Sequence, residues 1–199
     1  GEQFHRTAAG IFSRTVLAHV RRATVGPANL QNTHPFVQGT IAFAHNGTVP
    51  GFDALRPQLL DAMSDSQRAA LRGTTDTEHV FRLIMTLRDR SPDENLAGLL
   101  RRGASKVVDW CRMQEPERKI GLNLLMTDGR EIVGTRIGRG LFYVEREGVY
   151  DCEICGFPHV RHDPQQDYRA VVVASEPITR ESWREVPEGS LIHVSQDAR

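Results

Sequence analysis

The sequence predicts an α+β fold in which helices pack on antiparallel sheets. Three observations lead there. Two amphipathic helical patterns follow one another between residues 75 and 112, a series of short strand-like runs begins at residue 119, and Asp128-Gly129 joins two of those runs as a hairpin turn.

Taken in order, the chain opens with a strand-like run, Thr15-Val16-Leu17-Ala18-His19-Val20, followed by a loop rich in Gly, Pro and Asn from Gly26 to Pro35. Ile41-Ala42-Phe43-Ala44 reads as a short buried strand that stops at Asn46-Gly47, a strong turn signal. Thr75-Asp76-Thr77-Glu78 has the spelling of a capping box, a hydroxyl at the helix start and a carboxylate three residues on. The helix it opens carries Val80, Phe81, Ile84 and Leu87 on one face. Asn95–Arg112 forms a second helix with Leu96, Leu99, Leu100, Val107, Val108 and Cys111 as its apolar stripe. Gly121–Met126 and Glu131–Arg136 flank the hairpin turn, and Leu141–Glu145, Tyr168–Ala174 and Leu191–Val194 supply further strands around a surface loop at Tyr150–Gln166.

Composition narrows the functional classes. A chain of 199 residues holds one domain with a substantial core, and residues 1–199 read as one. Lys+Arg and Asp+Glu balance at 25 each, so no basic surplus argues for nucleic acid. The apolar runs, such as Ala170–Ala174, are far too short to cross a bilayer. The first six residues lack the basic-then-apolar order of a signal peptide. Three cysteines cannot build a disulfide framework, which favours a reducing, cytoplasmic setting.

Several residues carry chemistry. A free amino acid presents a carboxylate and an ammonium group, and holding both takes a forked cation and a carboxylate a few ångströms apart. Arg21 or Arg22, at the end of an apolar run, suits the first role and Asp76 the second; the alternative is a surface arginine and a helix-capping aspartate. Asn46-Gly47 offers a side-chain amide and a backbone N–H, the donors an oxyanion hole requires, or else a plain turn. Cys152, Cys155, His159 and His162 have the residue types of a tetrahedral zinc site, but the two halves are crowded together, and no metal or other cofactor is the preferred reading, with a structural zinc as the lesser one.

The order of these motifs adds a resemblance. Ala18-His19-Val20-Arg21-Arg22-Ala23-Thr24, then Asn32-Thr33-His34-Pro35-Phe36, then His45-Asn46-Gly47, then Thr75-Asp76-Thr77-Glu78 resembles the class II glutamine amidotransferases, which belong to the N-terminal-nucleophile hydrolases. Val172–Pro177 and Trp183–Gly189 are similar to that family's closing strands, so the likeness runs along nearly the whole chain and points to small stand-alone members. It implies an αββα sandwich of two antiparallel sheets between helix layers. It also implies that Arg21 binds the α-carboxylate of glutamine, Asp76 its α-ammonium, that Thr24 and the backbone at Val25 line the pocket, and that Asn46 and Gly47 hold the oxyanion. His19, His34 and His45 are read as structural.

The same resemblance implies an activity and exposes a departure. Family members attack the glutamine side-chain amide with an N-terminal cysteine whose own α-amine acts as base. Residue 1 is Gly, and the motif order implies that the cysteine segment lies before it, leaving an N-terminally incomplete fold and a chain inert by itself. Cys111 sits on the apolar stripe of a helix, and Cys152 and Cys155 lie in a late loop, so none of the three suits the role. The expected partner is a small molecule, glutamine or a γ-glutamyl compound, with neither nucleic acid nor membrane. Two other functions share these residues: hydrolysis of a larger γ-glutamyl substrate, and amino-acid binding without catalysis. An open sheet edge would also permit two copies to pair.

Overall fold

In the computed structural model of the chain, which describes residues 13–20, 27, 29–149 and 168–197, helices and antiparallel strands are layered as the pattern predicts. Strands β1 (Phe36–Gln38) and β2 (Ile41–Thr48) form a hairpin, and four helices follow: α1 (Phe52–Ala62), α2 (Asp65–Ala69), α3 (Asp76–Arg90) and α4 (Leu96–Gln114). The chain then returns as β3 (Gly121–Thr127), β4 (Ile132–Thr135), β5 (Phe142–Glu147), β6 (Arg169–Ala174), β7 (Arg184–Glu185) and β8 (Leu191–Val194). All strand pairs are antiparallel, in a five-stranded sheet of order β1-β2-β3-β4-β8 and a three-stranded sheet of order β6-β5-β7.

The core lies between the five-stranded sheet and the helices. Helix α4 starts where Asn95 caps it, its side chain accepting from Gly98 N at 2.8 Å, and its buried stripe of Leu96, Leu99, Leu100, Ala104, Val107, Val108 and Cys111 lies over β3, β4 and β8. Helix α3 lies against β2, with Phe81 stacked on Phe43 at 5.4 Å between ring centroids. Gly103 lets α3 and α4 approach closely, since a Cβ there would stand 2.5 Å from Ile84 Cγ1. Full burial of each large side chain in this layer, such as Leu100, Leu122 or Leu124, stabilises the fold by roughly 1.5–3 kcal/mol. Among the described residues no helix is long and apolar enough to cross a membrane.

Four expectations are corrected. The strand at Ile41 does not stop at Asn46-Gly47 but runs on to Thr48, because β3 continues beside it in the register Asn46↔Asn123, Gly47↔Leu122, Thr48↔Gly121. Gly47 serves close approach and not a turn: at φ +153°, a Cβ would stand 2.1 Å from the Gly121 carbonyl oxygen. Helices α1 and α2 went unpredicted. Pro57 inside α1 masked a helical face of Phe52, Leu55 and Leu59, which is buried against α3 and α4. Residues 15–20 belong to no sheet, although their exposure alternates with a period of two as a strand's would.

Candidate functional site

Three chain segments converge at the N-terminus of α3: the end of β2, the start of β3 and the loop before the helix. Thr75 caps α3 from an extended backbone, its hydroxyl accepting from Glu78 N at 3.2 Å. Glu78 does not close the box on the Thr75 amide. It reaches further back, accepting from Arg72 N at 2.9 Å and Gly73 N at 2.6 Å, with Arg82 as its ionic partner at 3.8 Å. Asn32, fully buried, ties in the earlier loop: its Oδ1 accepts from Thr74 N at 2.9 Å and its Nδ2 donates to Pro27 O at 2.9 Å. The segment around Asn32 is thus fastened to the helix start.

Asp76 is buried at the first position of α3. Its Oδ2 accepts from Val49 N at 2.9 Å and its Oδ1 from Thr77 N at 2.8 Å. The carboxylate therefore pins the residue just beyond β2 to the helix N-terminus, where the helix dipole favours an anion. Among the described residues no Lys, Arg or His forms an ion pair with it. A buried carboxylate met only by neutral donors retains acceptor capacity for a cation.

Thr77 extends the site toward the sheet. Its hydroxyl lies 3.0 Å from His45 Nδ1, and His45 Nε2 lies 2.8 Å from the Gly121 carbonyl oxygen. A carbonyl only accepts, so Nε2 carries the ring proton and Nδ1 accepts from the Thr77 hydroxyl. Burial pushes the His45 pKa below its ordinary value, against the opposing pull of Asp76 and the Gly121 carbonyl, and the ring is neutral. His79, one turn along α3, is likewise buried and its pKa lowered by that burial; Nδ1 donates to Thr75 O at 2.7 Å and Nε2 accepts from Arg56 Nε at 3.4 Å.

Asn46 stands beside His45 on β2 and faces away from it, as strand alternation requires. It is exposed, and nothing among the described residues hydrogen-bonds its side-chain amide. Its cross-strand neighbour Asn123 is instead fully committed: Nδ2 donates to Arg139 O at 3.1 Å and Gly140 O at 2.8 Å, and Oδ1 accepts from Ile137 N at 2.8 Å. So β2 ends with an amide at Asn46 that is unpartnered among the described residues, and Val49 just beyond it meets Asp76. Arg21, Arg22, Thr24 and Val25 lie outside the described residues, as do Cys152, Cys155, His159 and His162. Among the described residues no group of three or more His, Cys, Asp or Glu could hold a metal ion. Cys111 is buried in α4, and burial, with Glu115 nearby, pushes its thiol up to about 11, so it is no thiolate at neutral pH.

The contribution of Thr77, Glu78, Asn32 and Gly121 was not foreseen. Thr77 and Glu78 could have been found as polar residues on the apolar side of a helix start; Asn32 and Gly121 have no local signal, because their roles depend on segments distant in sequence.

Two antiparallel sheets with helices on the larger one make a mixed α/β fold. Solved structures bear this out: the class-II glutamine aminotransferase domain protein from Silicibacter pomeroyi, 24% identical, aligns over 83% of this chain and 68% of its own at a TM-score of 0.58. A structure described as a "predicted glutamine amidotransferase from Pseudomonas aeruginosa", 25% identical, aligns over 89% of this chain and 68% of its own at 0.62. The chain belongs to the class II glutamine amidotransferases, whose family model matches residues 3–198. It is 28% identical to "Probable glutamine amidotransferase DUG3" of Saccharomyces cerevisiae, over 92% of this chain and 58% of that protein. The chain thus spans little more than half the length of that relative.

Proposed function

We propose that this domain hydrolyses the side-chain amide of glutamine and releases ammonia. The observation that carries the reading is the setting of Asp76, a buried carboxylate held by two backbone N–H groups with no cation paired to it among the described residues. The α-ammonium of an amino acid completes such a group, and membership of the family supports glutamine as that amino acid. In this reading Asp76 holds the α-ammonium and Arg21 the α-carboxylate, with Thr24 and the backbone of Val25 lining the pocket. The match over residues 3–198 supports residues 1–199 as a single domain of this kind.

The chemistry follows from those contacts. A cysteine thiolate attacks the amide carbon, and the carbonyl π pair moves onto oxygen. Asn46 and Gly47 supply N–H donors to that oxyanion, an effect worth roughly 3–4 kcal/mol per donor in comparable sites. The tetrahedral intermediate collapses, the nitrogen takes a proton, and ammonia leaves a γ-glutamyl thioester. Water then attacks the thioester carbon, freeing glutamate and restoring the thiol. Cys111, the one cysteine among the described residues, is buried and its thiol is pushed up to about 11, so this reading does not assign it as the nucleophile.

The test uses the intact protein. Incubation with glutamine is expected to yield ammonia and glutamate, and an electrophilic glutamine analogue is expected to label an N-terminal cysteine. Absence of both overturns the reading. Cleavage of γ-glutamyl compounds with glutamine left untouched would transfer the same site to a larger substrate.

A further inference from the structure

The Thr77 hydroxyl has one proton and two acceptors within reach. His45 Nδ1 lies at 3.0 Å and Asp76 Oδ1 at 3.4 Å. Which acceptor takes the proton decides how much of the Asp76 carboxylate remains for a ligand. The choice is made on the far side of the imidazole. Gly121 O, at 2.8 Å from Nε2, requires a proton on that nitrogen, which leaves Nδ1 as an acceptor in a neutral ring. The ring cannot turn away, because it is buried between β2, β3 and the start of α3. The Thr77 hydroxyl therefore donates to His45. Asp76 is left with its two backbone donors and open lone pairs.

We propose that His45 is a positioning residue: it draws the Thr77 hydroxyl away from Asp76 and so keeps the carboxylate open for the cationic group of the ligand. The inference rests on Asp76 as the ammonium site, and it gives His45, the residue before Asn46-Gly47, a part in substrate affinity that packing alone does not demand. Through Gly121 the same ring grips the strand that faces Gly47, so one side chain sets the Asp76 end of the site and braces the strand pair that carries Asn46 and Gly47.

His45→Gln separates the two contacts. A glutamine amide can still donate to Gly121 O, but it offers no acceptor in the Nδ1 position, so the Thr77 hydroxyl turns to Asp76. In the intact protein, the KM for glutamine is expected to rise about fivefold, the worth of one neutral hydrogen bond, with kcat held, since the α-ammonium is remote from the reacting amide. Adding Thr77→Val removes the competing hydroxyl, and H45Q/T77V is expected to recover the KM of the parent. An unchanged KM in H45Q overturns the proposal, and so does a loss that the second substitution leaves in place, which is what simple damage to packing would produce. A readout without substrate stands beside it. The carboxyl-carbon resonance of Asp76 is expected to move in H45Q and return in H45Q/T77V, and the ring nitrogens of His45 to show a protonated Nε2 and an unprotonated Nδ1. A stationary Asp76 resonance or a protonated Nδ1 overturns the inference. Failure to turn over glutamine, with these resonances as expected, overturns the glutamine reading and leaves His45 as the guard of an anionic site for another cation.

Discussion

Where α3 meets the five-stranded sheet, charged and polar side chains are buried and held mainly by backbone groups; on the three-stranded sheet Arg146 and Glu181 are half-buried and pair with each other. At the first, Asp76, Glu78 and Asn32 meet the amides of Val49, Thr77, Arg72, Gly73 and Thr74. At the second, Arg146 on β5 grips Glu181 with both Nε, at 2.8 Å, and Nη2, at 2.6 Å. That fork, aided by the Thr179 hydroxyl, holds the Glu181 carboxyl below the usual carboxylate range. The difference teaches where a ligand charge can be used. A forked pair of this kind is complete, and neither member has a vacancy. A buried carboxylate held only by neutral donors has one.

The largest expected effect strikes the buried side of that comparison. Asp76→Asn keeps the shape but removes the charge, and glutamine kcat/KM should fall by at least about 100-fold, the range seen when one partner of a buried charge pair is removed. Retention of activity would show that Asp76 is a strut and not a ligand group. Gly47→Ala comes next, because its Cβ would lie 2.1 Å from the Gly121 carbonyl. We expect a loss of about 3 kcal/mol or more in denaturant unfolding, as for other forced overpacking, and parent-like stability would contradict the close approach of β2 and β3.

Glu78→Gln is expected to cost about 1–3 kcal/mol, since an amide has one acceptor oxygen for the two N–H groups of Arg72 and Gly73. Stability should also depend on pH through the buried histidines. His45 and His79 both have folded-state pKa values below the ordinary 6.5, so the unfolded chain binds more protons. Their penalty is absent above pH 6.5 and grows as pH falls below it. Unfolding midpoints measured downward from pH 7.5 should drop below that point, and His79→Gln should flatten the slope. The smallest effect belongs to the half-buried pair: Arg146→Ala should change stability by about 1 kcal/mol, and less in high salt. A larger, salt-independent loss would erase the contrast between the two sheets.

Much of this was legible beforehand because it is local. The 3.6-residue periodicity of residues 80–87 and 96–111 appears as α3 and α4, and Asp128-Gly129 turns β3 into β4 as its spelling suggests. Thr75 caps its helix as expected. What failed did so where distant segments decide. Asn46-Gly47 has the spelling of a turn, yet β3 pairs alongside and makes it strand. Glu78 has the spelling of a capping box, yet the amides of Arg72 and Gly73 lie within its reach and win. Pro57 argues against a helix, yet α1 forms because its apolar face is buried against α3 and α4.

The sequence by itself determined the layered α+β class, the starts of α3 and α4 and the residue types at the site, since periodicity, caps and turn preferences act over a few neighbouring residues. Only the tertiary structure decided that Asp76 is buried with neutral partners, that His45 and Thr77 meet, and that Gly47 must be glycine. Those facts depend on which backbone amide or carbonyl another segment brings within about 3 Å, the range over which a hydrogen bond or a clash acts.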